Sequence, residues 1–198
     1  NYCELAHTNL SGYELRGARL HGANLEGSYL YSIDLRGVQL ASANLRHTGM
    51  HGSDLRNASL TGADLYNVSL SMGDLRGANL KGASLRFIEL RGTDLRNVDL
   101  SKIDLTGATF APLHRWKLRP LVTNMEGVNL TGANLRHANL NSANLQGAIL
   151  RDSIFLGASF DSSNLADADL ERSQIDLSQL QTALLCRTRL PDSSISSR

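Results

Sequence analysis

Thr61-Gly62-Ala63-Asp64-Leu65-Tyr66-Asn67-Val68-Ser69-Leu70 is followed by Ser71-Met72-Gly73-Asp74-Leu75-Arg76-Gly77-Ala78-Asn79-Leu80, and these twenty residues set the rhythm of the chain. A leucine stands at every fifth position. A small or β-branched residue generally stands two places before it, and an acid or amide often stands directly before it. Outward from this stretch the beat does not slip. From position 5 to 110 the multiples of five hold leucine twenty times, with Met50 and Phe110 as the exceptions. After a break the beat resumes at Met125 and runs through Leu130, Leu150, Phe155, Phe160 and Leu170 to Ile175.

A period of five fits neither an α-helix at 3.6 nor a flat strand at 2. On a helix these leucines would spread around the whole circumference. A solenoid of short repeats is the remaining reading.

The units Ala23-Asn24-Leu25, Ala63-Asp64-Leu65 and Ala78-Asn79-Leu80 follow the pattern A(D/N)LXX, and the chain resembles the pentapeptide-repeat family over residues 1–110 and 123–175. The resemblance implies an all-β fold, a right-handed quadrilateral parallel β-helix. Four pentapeptides would make one coil of twenty residues. The central residue and the residue two before it would face inward, and the other three would face water. The residues agree. Ala63, Ala78, Val68, Val98, Ser53 and Thr93 are small or β-branched partners for a narrow bore filled by residues such as Leu65 and Leu80. Two places after the centre Gly dominates, as at Gly17, Gly37, Gly62 and Gly77, with His47, Asn57, Asn67 and Asn97 as substitutes. These are residue types that tolerate left-handed backbone at a corner.

The expected organisation is one continuous domain. A first repeat block covers 1–110, a loop insertion 111–124, a second block 125–175, and a short C-terminal capping helix with a tail 176–198. Leu177, Leu180 and Leu184 fit helical spacing, and Asp176 with Gln179 reads as a capping box. The first coils are the least regular, with Tyr13 at an inward position. Asn1 already lies in repeat phase, so the chain reads as a fragment, a processed chain or a domain of a longer protein. Cys3 and Cys186 sit at opposite ends, too far apart to bridge, with Cys3 expected in the inward column.

Net charge is +1 and 41% of residues are hydrophobic, so neither disorder nor strong attraction to polyanions follows from the bulk composition. No apolar run approaches a membrane span, and no secretory h-region is present. The compartment stays open, with the cytoplasm favoured.

Read every twentieth residue, the surface carries a charge ladder. Asp34, Asp54, Asp74 and Asp94 form one column, and Arg36, Arg56, Arg76 and Arg96 form the next. Rungs about 4.8 Å apart would let opposite columns offset like-charge repulsion. Arg76, Lys81, Arg86, Arg91 and Arg96 girdle one coil, with Lys81 and Arg86 lacking an acidic neighbour in sequence. Ile149, Ile154 and Leu156 stand at water-facing positions and suggest an apolar patch, while Asp161, Asp167, Asp169, Glu171 and Asp176 make the far end acidic.

The loop differs from everything around it. Pro112 and Pro120 bound it, and His114, Arg115, Trp116, Lys117 and Arg119 make it basic around the only tryptophan. Trp and Arg are enriched at binding hot spots, and function often rides on loops leaving a rigid scaffold. The candidate partner-binding residues are therefore His114, Arg115, Trp116, Lys117 and Arg119, with Lys81 and Arg86 of the girdle.

No catalytic constellation appears: no HExxH, no nucleophile elbow and no cysteine cluster. The sequence calls for no enzyme activity, no cofactor, no metal and no small-molecule substrate. It points to a rigid protein–protein scaffold whose partner presents an acidic surface, as a monomer or an end-to-end dimer. Nucleic acid is disfavoured because the basic run is short and lies beside acidic columns. The resemblance implies an alternative, since some family members imitate DNA and bind DNA gyrase, protecting it from topoisomerase poisons. The arginine columns and leucine centres of this chain argue against that reading.

Overall fold

The computed structural model describes residues 3–114 and 118–196. The chain winds as a solenoid whose successive coils pair in parallel. Each pairing is a single-residue bridge rather than an extended strand, because a turn follows every centre. Asp54 bridges Asp74, and Asp64 bridges both Asn44 and Ser84, so one coil takes twenty residues and four turns.

The regular pentapeptides share one hydrogen-bond rule. Leu65 N–H donates to the Ser84 carbonyl at 2.8 Å and Asn67 N–H to the Arg86 carbonyl at 3.0 Å, both on the following coil. Asp64 N–H donates back to the Ala43 carbonyl at 3.0 Å. The turn closes when the N–H three places past a centre meets the centre's carbonyl, as in Ala63 to Leu60 at 3.0 Å. Only the third residue of such a turn takes positive φ, a type II pattern. Gly62 has φ +66° there and Asn67 +54°. This is why Gly and Asn recur at that corner.

The acid or amide before each centre has its own local reason. Its carboxyl or amide oxygen accepts from the N–H two residues on, as Asp64 does from Tyr66 at 3.0 Å and Asn79 from Lys81 at 3.1 Å. That N–H points away from the ladder, and the side chain satisfies it.

Two inward columns fill the bore. Leu65, Leu80, Ala63 and Ala78 are buried, as are Phe110, Phe155 and Phe160. Burying one leucine contributes on the order of 2 kcal/mol. Inward hydroxyls reach the centre carbonyl of the preceding coil: Ser53 Oγ donates to Leu30 at 2.5 Å and Thr93 Oγ1 to Leu70 at 3.1 Å. Most inward hydroxyls are thus admitted to the bore with a partner, Ser173 Oγ being a buried exception.

Several sequence expectations change. Cys3 is exposed instead of buried, because no described coil lies over it. Tyr13, at an inward register position, swings outward and is 62% exposed, and Glu14 next to it makes no bridge to Asp34. The C-terminal helix is one 3-10 turn, Leu177–Leu180, capped reciprocally by Asp176 and Gln179. Beyond it pairing resumes, with Asn164 bridging Leu184 and Asp169 bridging Arg189, so coil pairing extends past 175. Leu184 faces out and Leu185 fills the bore, since Leu180 and Leu185 keep the multiples of five. Gln179 Nε2 donates to the Phe155 and Ala158 carbonyls at 2.9 and 2.5 Å, tying the helical turn to the preceding coil.

Candidate interaction surface

The insertion lengthens one coil by ten residues. Asp94 bridges Asn124, Asp99 bridges Asn129 and Thr109 bridges Asn139, each at thirty residues instead of twenty. The extra chain leaves as an antiparallel pair. Leu113 N–H donates to the Leu121 carbonyl at 2.9 Å, and Leu121 N–H returns the bond at 3.0 Å.

The base of this hairpin is built into the bore. Thr123 occupies the inward position before Met125 and is fully buried. Its Oγ1 lies 2.8 Å from the carbonyls of both Leu90 and Phe110, and it accepts from Gly92 N–H at 3.0 Å. In a regular coil Gly92 N–H would donate to the carbonyl at position 111. The insertion removes that partner, and the Thr123 hydroxyl replaces it. Leu121 then packs on Gly92, where an added Cβ would stand 2.9 Å from the Leu121 Cβ.

The candidate residues of the loop divide. His114 and Arg119 are exposed, with Leu118 58% exposed beside them. Arg115, Trp116 and Lys117 lie outside the described residues. The girdle does not sit as one strip beside the loop. Arg86 is one turn back around the coil from Gly92 and Lys81 is two, so Lys81 occupies the opposite corner. Arg86 meets Asp104 of the next coil at 3.6 Å, a partner the local sequence did not reveal. Among the described residues Arg91 makes no ion pair with Glu89, whose Oε2 accepts from Ser69 instead.

At Lys81 the ladder opens. Asn79 and Asp99 do not bridge, although Ser59 with Asn79 and Asp99 with Asn129 do. A cleft of about 570 Å³ lies there, lined by Asn79, Lys81, Gly82, Asp99 and Lys102. The opening explains why Lys81 misses Asp99, while Arg36, Arg56 and Arg76 reach the equivalent aspartates.

Those arginines form a continuous ladder. Arg36 binds Asp34 at 2.6 Å and Asp54 at 3.6 Å, and Arg56 binds Asp54 at 2.6 Å and Asp74 at 3.6 Å. Arg76 binds Asp74 at 2.5 Å and Asp94 at 3.4 Å, and Arg96 binds Asp94 at 2.6 Å. Each guanidinium holds its own coil's carboxylate, and those of Arg36, Arg56 and Arg76 also touch the next. Hydrogen bonds from the Arg36 side chain and backbone hold Asp34 well below the usual carboxylate range. The Arg56 side chain lowers Asp54 likewise. Burial pushes Asp94 up, but the bonds from Arg96 outweigh it and the net shift is downward. The arginine corner borders a cleft of about 550 Å³.

The far end is less acidic than its sequence suggests. Arg151 and Arg189 hold Asp169, Arg172 holds Asp152 and Glu171, and Arg187 holds Asp167. Ile149 is 41% and Leu156 64% exposed, so the C-terminal segment leaves this apolar patch uncovered. Among the described residues no His, Cys, Asp and Glu cluster could hold a metal ion, and no helix is long and apolar enough to cross a membrane.

A second surface feature escaped the sequence reading. Arg46, Tyr66 and Arg86 follow three stacked centres, with His47 and Phe87 at the adjoining corner. The rings of His47 and Tyr66 meet edge to face at 5.6 Å, as do those of Tyr66 and Phe87. The signal lay in Phe87, a large apolar residue where Gly and Asn otherwise rule.

This architecture defines a β-helix solenoid of five-residue units. The family of pentapeptide repeats matches residues 1–30, 33–71, 74–110, 123–152 and 138–181, and the chain belongs to it. It is similar to HetL, a pentapeptide-repeat protein involved in heterocyst differentiation regulation from the cyanobacterium Nostoc sp. strain PCC 7120. Identity is 28%, covering 98% of this chain and 92% of HetL, with a TM-score of 0.71. QnrB1, a plasmid-mediated fluoroquinolone resistance protein, is 18% identical over 99% of this chain and 90% of its own, with a TM-score of 0.35. A pentapeptide-repeat protein of the Arabidopsis thaliana thylakoid lumen is 20% identical over 72% of this chain and 68% of its own, with a TM-score of 0.27. No curated protein sequence matches the chain.

Proposed function

We propose that the protein is a non-enzymatic scaffold that binds another protein through the 111–124 loop, and that the partner presents an acidic surface. The observation that carries this reading is the rigid base under the loop. A hairpin that leaves a regular solenoid, with its root pinned by the buried Thr123, presents the exposed His114 and Arg119 at low ordering cost. The bore itself offers no room for a substrate, since leucines fill it. HetL is described as regulatory, which accords with action through a partner.

The coil is taken to be right-handed and four-sided, with residues 176–198 closing its far end. Four turns per twenty residues and the right-handed preference of parallel crossovers support this. The alternative of a DNA-mimicking gyrase binder needs a broadly anionic face. Here every carboxylate of the aspartate column is held by arginine, so that reading is not adopted.

The test is a variant carrying Arg115→Ala, Trp116→Ala and Arg119→Ala, compared with the parent in pull-downs and thermal unfolding. An unchanged melting temperature with loss of partners supports the reading. Lost stability with retained partners overturns it and makes the loop a strap.

A further inference from the structure

We propose that the corner formed by Arg46, His47, Tyr66, Arg86 and Phe87 is a second docking site, for an extended acidic peptide segment carrying an apolar side chain. The inference rests on the scaffold reading but not on the loop.

Phe87 is 41% exposed and holds φ +58°, a conformation unfavourable for a bulky side chain. Among the described positive-φ corners the only other large apolar residue is Met72. The ring leans over Gly107, where an added Cβ would meet it at 2.5 Å, so the next coil leaves space for it. An exposed aromatic side chain that strains its own backbone is poorly accounted for by folding alone.

The charged residues of the corner itself are cations, while Glu26 stands one coil before Arg46 in the same column and turns to Asn44, whose Nδ2 donates to it at 3.0 Å. Arg46 lies over the Tyr66 ring at 4.4 Å, and Arg86 lies 5.7 Å from the centre of the Phe87 ring. The corner residues from Arg46 to Gly107 include no carboxylate. Asp64 and Asp104 stand on the flat beside it, each already engaged by one arginine, at 3.0 and 3.6 Å. Two cations therefore bracket an aromatic step, two coils or about 10 Å apart. That spacing suits an extended segment with carboxylates on both sides of an apolar residue. Tyr and Arg are also the types that dominate interface hot spots.

The same residues disfavour single-stranded nucleic acid. Base stacking needs open ring faces. Here Arg46 covers Tyr66, and the rings meet edge to face, leaving no parallel platform.

The probe is a fluorescein-labelled hexapeptide with acidic residues on both sides of a central phenylalanine, titrated by fluorescence anisotropy. Its amide counterpart and a labelled oligo-dT serve as comparisons. Phe87→Asn is the informative variant, because Asn adopts this corner at positions 57, 67 and 97. It should keep the melting temperature and lower peptide affinity about tenfold or more, and Arg46→Gln or Arg86→Gln should each lower it several-fold. No binding of the acidic peptide overturns the proposal. So does equal binding by Phe87→Asn, equal binding of the amide peptide, or preferential binding of oligo-dT. The loop variant separates the two readings. If the loop variant loses its partners while the peptide fails to bind, only the corner is wrong.

Discussion

Replacing Thr123 with Val tests whether the loop is rooted in the bore. The side chains are nearly equal in volume, so packing around Met125 and Phe110 is retained, and the change removes one hydroxyl. That hydroxyl accepts from Gly92 N–H at 3.0 Å and contacts two carbonyls at 2.8 Å. Gly92 N–H has no other acceptor among the described residues, because the insertion displaced the carbonyl it would otherwise meet. A fully buried orphaned donor costs about 1–3 kcal/mol and a lost hydrogen bond of this kind about 1 kcal/mol, and the half-buried Gly92 N–H lies between these. The variant should lose about 2 kcal/mol in urea unfolding, with an unchanged m-value. Amide exchange at Gly92 should accelerate while exchange at Leu65 stays slow. Thr123→Ser keeps the hydroxyl and should lose about 1 kcal/mol or less, the contribution of one methyl. If Val and Ser variants are equally stable, or Gly92 exchange does not change, the hydroxyl does not pin the loop.

Leu65→Asp should unfold or aggregate the protein because a carboxylate would enter the bore unpaired, whereas Asp64→Ala, one residue away, should cost about 1 kcal/mol or less in urea unfolding; equal effects would reverse the inward and outward assignment. The arginine ladder holds Asp34, Asp54 and Asp94 below their ordinary titration range, and lowered carboxyl groups give stability that is present above the unfolded carboxyl range. Thermal stability should therefore fall as pH drops below about 4, and neutralising the column with Asp34→Asn, Asp54→Asn and Asp94→Asn should flatten that decline; a profile unchanged by the three substitutions would refute the linkage. Deleting residues 176–198 removes the buried Leu180 and Leu185 and the bonds of Gln179 to the preceding coil. The truncated protein should self-associate in sedimentation, and a monomer of parental stability would show that this segment is dispensable.

The five-residue beat made the solenoid legible because each centre, inward partner and corner repeats its demands in every coil. The left-handed corner was readable for the same reason: Gly62 and Asn67 answer one backbone constraint. What the beat could not show was contact between coils where it is broken. Thr123 counted as part of the loop insertion, and its bond to Gly92 exists only because ten residues intervene. Arg86 seemed unpartnered because Asp104 lies on the next coil. The helical spacing of Leu177, Leu180 and Leu184 competed with the beat of Leu180 and Leu185, and beyond one 3-10 turn the beat won. Phe87 was visible as an exception at a Gly position, but its ring partner Tyr66 comes from the preceding coil, and Tyr66 in turn meets His47 of the coil before that.

The most direct measurement removes the loop and keeps the solenoid. Deleting residues 112–121 with Val122→Gly would restore a twenty-residue coil, return the position-111 carbonyl to Gly92 N–H and place Gly at the left-handed corner. Affinity for the proteins recovered with the parent would then be measured alongside thermal unfolding. The account predicts a trimmed protein at least as stable as the parent that no longer binds them. A trimmed protein that folds and binds with parental affinity would contradict it.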